Sequence, residues 1–372
     1  SNVPNAVALN GQNTSSAKAG PRTREQYRFD IDDKANWLQY LKDFGYVVLA
    51  SALTPSEVVE ARQQLWKDIR VVYPHDHLDV PASASTADDS NVTATTAPVT
   101  TTSTSSTTTT TAKASDESKG VDETTVKRAA VDWSSFAGMP ITGLCPELCQ
   151  SAGSWTIRGA EGVRNSFAAI WDCDASELLT SLDAVILWRP WGKNLDGPLT
   201  KGPPKIAPRP RTEGFHLDQN PYKKPNLETV QGMVPLRPVN ASVGGLAVVP
   251  KSHLDAQRLE IIERYPRFKR GGDWCPLSRS DPSNSPSNHV LLLAQPGDLV
   301  LWDSRLVHGG VVGRGCTSPV SAAHETAAER KLRWQEWEDD FVRMSVTVCM
   351  TERSRASAAT LKRRRKGFKA GA

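Results

Sequence analysis

The tripeptide His-Leu-Asp occurs three times in this chain, at 77–79, 216–218 and 253–255. In a β-strand, positions i and i+2 point to the same face, so an imidazole and a carboxylate at that spacing can hold one divalent cation together. A second histidine from elsewhere would complete a set of two imidazoles and one carboxylate. Such a set leaves positions on the metal open, which suits ferrous iron, and zinc accepts the same ligands.

Context separates the three copies. Ser252 precedes His253, and Ser252 with Asp255 opens the helical run LDAQRLEIIERY as a capping box would. On a helix, i and i+2 do not share a face, so His253 and Asp255 are expected to be structural. His77 and Asp79 run into a Ser/Thr-rich stretch with no strand after them. His216 and Asp218 follow a long Pro-, Gly- and Lys-rich loop over 189–215 and precede the apolar strand VQGMVPL. Long ordered loops of this kind tend to be lids or binding loops. For the third ligand the sequence offers His308, in a short strand beside Gly309 and Gly310, where glycines leave room for close approach. His308 lies 92 residues beyond His216, enough for four intervening strands.

The elements that would position these residues follow from the pattern. NWLQYLKDF reads as an amphipathic helix ended by Gly45, and YVVL after it as a strand. Thr54-Pro55-Ser56-Glu57 has the residues of a capping box with proline in the first turn, starting a helix through Ile69. Residues 164–179 read as helix and 183–188 as a buried strand. Short strands are expected at 230–236, 245–249, 290–294, 299–302, 307–312 and 344–350, with helices at 252–265 and 326–341. Many short strands with Gly/Pro punctuation point to a sandwich or closed barrel. The fold class is therefore mainly β with flanking helices.

The chain has 372 residues and 38% hydrophobic content. Residues 1–21 and the Ser/Thr-rich insert 82–127 lack the apolar area needed to offset ordering entropy and are expected to be disordered. That leaves 22–81 plus 128–369 as a single domain. A net charge of +4 does not suggest a nucleic-acid partner. Its basic excess gathers at the end, where Arg353 to Lys369 holds eight basic residues and no acidic one. That tail is either a solvated helix end or a nuclear address or anion-binding patch. Six cysteines show no CxxC pair, and there is no secretory signal or long apolar run. An intracellular, cytoplasmic protein with free thiols and no membrane span is expected. Oligomeric state is not legible.

In its order of motifs the sequence resembles the phytanoyl-CoA dioxygenase-like family of Fe(II)/2-oxoglutarate oxygenases. The pieces are DFGYVVLASALTPSEV, GFHLDQNP, VQGMVPLRPVNASVGGLAVVPKSH, QPGDLVLWDSRLVHGG and RMSVTVCMTERSRAS. The resemblance implies a double-stranded β-helix, that is, a jelly-roll, cupin-like barrel. It implies Fe(II) held by His216, Asp218 and His308, and 2-oxoglutarate as cosubstrate. A basic residue after the distal histidine would hold the far carboxylate, since an arginine fork donates two parallel hydrogen bonds. Arg343 is favoured over Arg314, because Arg343 opens a strand whose Arg343/Ser345/Thr347/Cys349 face is polar and small, whereas Arg314 sits in a loop-like stretch. Gln231 resembles a position that lines the family's site, while Trp302 and Arg305 read as core and a structural ion pair. The implied reaction is hydroxylation of a small molecule, with release of succinate and CO2. Relatives that halogenate replace the carboxylate ligand with a small residue, so Asp218 argues for hydroxylation. Basic residues in the 189–215 loop would favour an anionic substrate such as an acyl thioester. An inactive binding protein and a zinc or cupin-type enzyme on the same barrel are the alternatives.

Overall fold

A computed structural model of the protein describes residues 27–73, 141–188, 191, 209–314 and 341–370. The segment 1–21, the insert 82–127, His77–Asp79, Cys316 and the expected helix at 326–341 (apart from Phe341) lie outside the described residues, as does most of the 189–215 loop. In chain order the elements are β1 (Arg28–Asp30), α1 (Lys34–Phe44), β2 (Tyr46–Ala50), α2 (Pro55–Val72), β3 (Leu144–Cys145), α3 (Ala152–Gly159), α4 (Glu161–Trp171), β4 (Leu178–Thr180) and β5 (Val185–Trp188). They continue with β6 (His216–Leu217), β7 (Val230–Pro235), β8 (Gly244–Val248), α5 (Asp255–Arg264), β9 (Cys275–Pro276), β10 (Val290–Leu291), β11 (Leu299–Asp303), β12 (His308–Val312), β13 (Arg343–Glu352) and α6 (Ala358–Lys369).

The strands form two sheets. The larger runs β1-β2-β11-β7-β13-β5-β3, with β4 added to β13, and the smaller runs β10-β8-β12-β6-β9. Their pairings nest: β5 pairs β13, β6 pairs β12, β7 pairs β11 and β8 pairs β10, all antiparallel. Along the chain, β5 to β8 alternate between the large and small sheets, and so do β11 to β13. One long antiparallel ribbon is thus wound across two sheets, which is the double-stranded β-helix of a jelly roll. Apolar side chains from both sheets, among them Tyr46, Met233, Val300, Leu246 and Val248, pack together in one cluster. A second cluster joins Leu301, Val346 and Val348 of the large sheet to Trp37, Leu65 and Phe167 of α1, α2 and α4. The large sheet is therefore buried on both faces, which explains its near-continuous apolar strands.

The helix starts and stops are local chemistry. Gly45 takes φ +85 and its N–H closes α1 on the Leu41 carbonyl. At α2, the Thr54 side chain accepts from Glu57 N while the Glu57 carboxylate accepts from Thr54 N. Thr54→Ala should lower stability by about 1 kcal/mol, read as an earlier denaturation midpoint with unchanged slope.

Four local expectations change. Helix α4 stops at Asp172, which is left-handed at φ 50, and Leu178–Thr180 then pairs with β13 as a strand. The strand expected at 290–294 shortens to Val290–Leu291, with Ala294 in an isolated bridge to Val239. Helix α5 begins at Asp255 without a side-chain cap, because Ser252 Oγ is already used by the Val249 carbonyl and Val307 N–H. His253 is structural in another way: its Nε2 donates to the Lys42 carbonyl at 2.9 Å, tying the 249–254 turn to the end of α1.

Candidate metal centre and its pocket

Sheet pairing builds the site. β6 and β12 are antiparallel neighbours, and their register sets His216 directly across from His308. Asp218 follows at the end of β6. The approach is close: a Cβ on Gly309 would stand 2.5 Å from the Gly214 carbonyl oxygen, so glycine there lets β12 lie beside the ligand strand. The rings of His216 and His308 sit 4.5 Å apart, and one donor atom from each of His216, Asp218 and His308 lies within 4.8 Å of the others.

Hydrogen bonds fix the tautomers. His216 Nδ1 lies 2.9 Å from the Gly214 carbonyl and His308 Nδ1 2.9 Å from the Leu306 carbonyl. A carbonyl only accepts, so each neutral ring carries its proton on Nδ1 and presents Nε2 as a lone pair. Those two nitrogens point at Asp218, at 3.5 Å from Oδ1 and 3.2 Å from Oδ2. Lone pairs and a carboxylate converging this closely repel unless a proton or cation lies among them. The donor set thus fits a divalent metal, with backbone carbonyls orienting the imidazoles. Burial disfavours charge on His216, but its hydrogen bond and attraction to Asp218 outweigh this and raise its pKa. Burial likewise opposes ionisation of Asp218, yet the two imidazoles hold its carboxyl far below the usual range.

The next layer comes from the large sheet. Gln231 on β7 donates from Nε2 to Asp218 Oδ2 at 2.8 Å. Gln231→Leu should weaken Mn(II) binding by about 10–100-fold, the usual consequence of removing an outer partner of a ligand. Calorimetric titration reads this directly, and an unchanged affinity would show that the amide does not orient Asp218. Across the strand pair from Gln231 stands Trp302 on β11, its ring 5.5 Å from that of His308. Trp302 is core, as expected, in one cluster with Met233, Leu246 and Leu306, and it also lines the pocket, its indole nitrogen without a hydrogen-bond partner among the described residues. Arg305 does pair with Asp303, at 2.7 Å.

Arg343, on β13, reaches the same pocket as the three clustered side chains. Its guanidinium lies over the Trp188 ring at 4.2 Å and makes only a weak 3.6 Å contact to Met233 Sδ. Nε has no partner, and no carboxylate pairs with the group among the described residues. Burial pushes its pKa down to about 10. A buried guanidinium without an anion is destabilising, so the site fits a ligand carrying a carboxylate. Two positions along the same strand face, Ser345 is fully buried with an unpartnered hydroxyl. Arg314 is exposed just past β12 and does not line this pocket.

The pocket holds about 300 Å³, with the apolar walls Leu144, Ile186, Met233 and Leu246, and with Arg211, Thr212 and Glu213 on its lining. Those last three belong to the described end of the 189–215 loop, residues 209–215, where Arg209 is exposed and donates to the Val312 carbonyl at 2.7 Å, while Lys193, Lys201 and Lys205 lie outside the described residues. Gln219 and Asn220, also in the ligand motif, are structural. Gln219 accepts from Ser304 Oγ at 2.7 Å and Glu228 N at 3.0 Å, which braces the turn after Asp218.

Residues 199–311 match the phytanoyl-CoA dioxygenase (PhyH) family model. The PhyH match contains His216, Asp218, Gln231 and His308, and ends before Arg343. "Ava biosynthesis cluster protein O" of Aspergillus versicolor is 30% identical over 198 residues, which is 48% of this chain and 58% of that protein. The chain thus spans less than two thirds of that relative. Among solved structures, the epimerase SnoN, in complex with Fe3+, alpha ketoglutarate and nogalamycin RO, has 13% identity, covering 87% of this chain and 85% of its own at a TM-score of 0.43. AviO1 from Streptomyces viridochromogenes Tue57 has 14% identity, covering 87% and 97% at 0.41. EvdO2 from Micromonospora carbonacea var. aurantiaca, complexed with 2-oxoglutarate, has 15% identity, covering 86% and 93% at 0.39. No helix among the described residues is long and apolar enough to cross a membrane.

Proposed function

We propose that the protein is an Fe(II)- and 2-oxoglutarate-dependent dioxygenase that hydroxylates a small-molecule substrate. One observation carries this reading: a His/Asp/His donor cluster and a buried guanidinium lacking an anionic partner line the same pocket. A zinc hydrolase has use for the first but not the second. The PhyH match over 199–311 supports the same reading.

When bound, the metal and cosubstrate supply the oxidation, in which one oxygen atom of O2 enters succinate, the other enters the product hydroxyl, and CO2 leaves. His216, Asp218 and His308 hold the metal and leave its remaining positions free. Arg343 holds the far carboxylate of 2-oxoglutarate through charge-assisted hydrogen bonds. Leu144, Ile186, Met233 and Leu246 limit water around the reacting groups. The protein's task is positioning, and no general base is required of it.

Purified protein supplied with Fe(II), 2-oxoglutarate and O2 should release succinate and CO2 in equal amounts, slowly without a substrate. Failure of 2-oxoglutarate to bind or to be consumed across a broad substrate panel would overturn the proposal.

A further inference from the structure

We infer that Trp274 is the platform on which the substrate lies, and that the substrate presents a flat, uncharged, unsaturated ring system to it. This rests on the proposed oxygenase site. Trp274 is the one exposed tryptophan among the described residues, with 53% of its surface open. It is also beside the metal ligands. β9 pairs with β6 through His216↔Pro276 and Leu217↔Cys275, so the next step of that register sets Trp274 across from Asp218. The indole lies 6.3 Å, ring to ring, from His216.

A solvated tryptophan on a slack loop would mean little, but this backbone is held from both sides. Cys275 and Pro276 are fixed in the sheet. Asn220, wholly buried, donates from Nδ2 to the carbonyls of Phe268 at 2.8 Å, Gly271 at 3.3 Å and Gly272 at 2.8 Å. Asp273 accepts from Asn220 N at 3.4 Å and pairs with Lys224 at 2.6 Å. Asn220 stands two residues after Asp218, so the segment that provides the ligands also clamps the loop that presents the indole. The fold thus fixes a large apolar side chain in the open, next to the metal cluster, with His216 as its ring neighbour among the described residues.

The chemistry of the surroundings narrows the occupant. An indole face pairs best with another π-system in an offset stack, or with a cation. Trp274 does not itself line the pocket, but His216 beside it does, and the pocket's walls Ile186, Met233, Leu246 and Trp302 suit an apolar body. Outside the ligand cluster and Arg343, the charged side chains on the pocket are Arg211, Asp183 and Glu213, one basic and two acidic, so the lining does not select an anion. A flat neutral ring satisfies both the platform and the walls. A neutral ring departs from the anionic substrate expected from the basic residues of the 189–215 loop, of which Lys193, Lys201 and Lys205 lie outside the described residues.

The matched probes are 2-naphthol and its saturated counterpart decahydro-2-naphthol, with tetramethylammonium as the cationic probe. They are titrated calorimetrically into wild-type, Trp274→Ala and Trp274→Phe protein, with and without Mn(II) and 2-oxoglutarate. Wild type should prefer 2-naphthol, and Trp274→Ala should lose about 2–10-fold in its affinity, as expected for an aromatic pair. Trp274→Phe should retain most of it, and the Mn(II) and 2-oxoglutarate affinities should be the same in all three. Equal binding of the two naphthols, tetramethylammonium binding that depends on Trp274, or a melting temperature in Trp274→Ala lowered as by loss of a core residue would each overturn the inference. Failure of Mn(II) and 2-oxoglutarate to bind wild type would instead overturn the oxygenase reading, since the naphthol arms are read without either.

Discussion

His308→Ala is expected to fold and yet fail to hold Fe(II). His308 supplies an Nε2 lone pair whose direction is set by the Nδ1 bond to Leu306, and Asp218 lies 3.2 Å away. Removing the imidazole leaves one nitrogen and one carboxylate, too few to keep a divalent ion against water at neutral pH. The affinity loss should exceed the roughly 10–100-fold that follows removal of an outer partner. Succinate release should fall to background, and excess metal should not restore it. Stability should change little, because the ring faces the pocket and its removal relieves the crowding of Asp218 with two imidazoles. Equal Fe(II) affinity in wild type and variant, by anaerobic titration, would place the metal elsewhere.

Arg343→Met is expected to separate stability from function. In the protein without ligand, the guanidinium is buried over Trp188 with no carboxylate beside it among the described residues, a state that opposes folding. Methionine of similar length removes that charge, so the ligand-free variant should melt no lower than wild type. Its response to 2-oxoglutarate should be lost. Losing one partner of a buried, hydrogen-bonded charge pair costs about 2–5 kcal/mol, which corresponds to at least about 30-fold in affinity. Arg343→Lys should recover only part, since an ammonium cannot make the paired hydrogen bonds of a fork. A variant that loses stability but keeps 2-oxoglutarate affinity would make Arg343 a structural residue and reopen the choice of anion site.

The contrast between what the chain announced and what it concealed has a physical basis. Alternation along a strand is a local property, so the HLD pair and the polar face of β13 were readable directly. The capping box at Thr54 and the stop at Gly45 are local too. The nested strand pairing was legible only through resemblance, because strand partners are set by contacts far apart in sequence. LVLWD marks Trp302 as core, which it is, but nothing local shows that it also lines a pocket within that core. Trp274, in GGDWCP, carries no periodic signal. Its position depends on Asn220 reaching across about fifty residues to hold the loop. The Ser252 cap fails for a similar reason: its hydroxyl is engaged by the Val307 N–H, 55 residues away. Arg314 and Arg343 could be ranked from strand alternation, but only the three-dimensional arrangement sets one in the pocket and the other at the surface.

On the proposed function, one pocket holds a ferrous ion on His216, Asp218 and His308 and a 2-oxoglutarate on Arg343. Anaerobic visible absorption tests both halves together, because a 2-oxo acid bound to Fe(II) would give a charge-transfer band that neither component shows alone. The band should appear at one equivalent each of Fe(II) and 2-oxoglutarate in wild type. It should be absent in His308→Ala, and in Arg343→Met it should need at least about 30-fold more 2-oxoglutarate. A wild-type protein that binds Fe(II) but never develops the band, or an Arg343→Met protein that develops it at wild-type concentrations, would contradict the account.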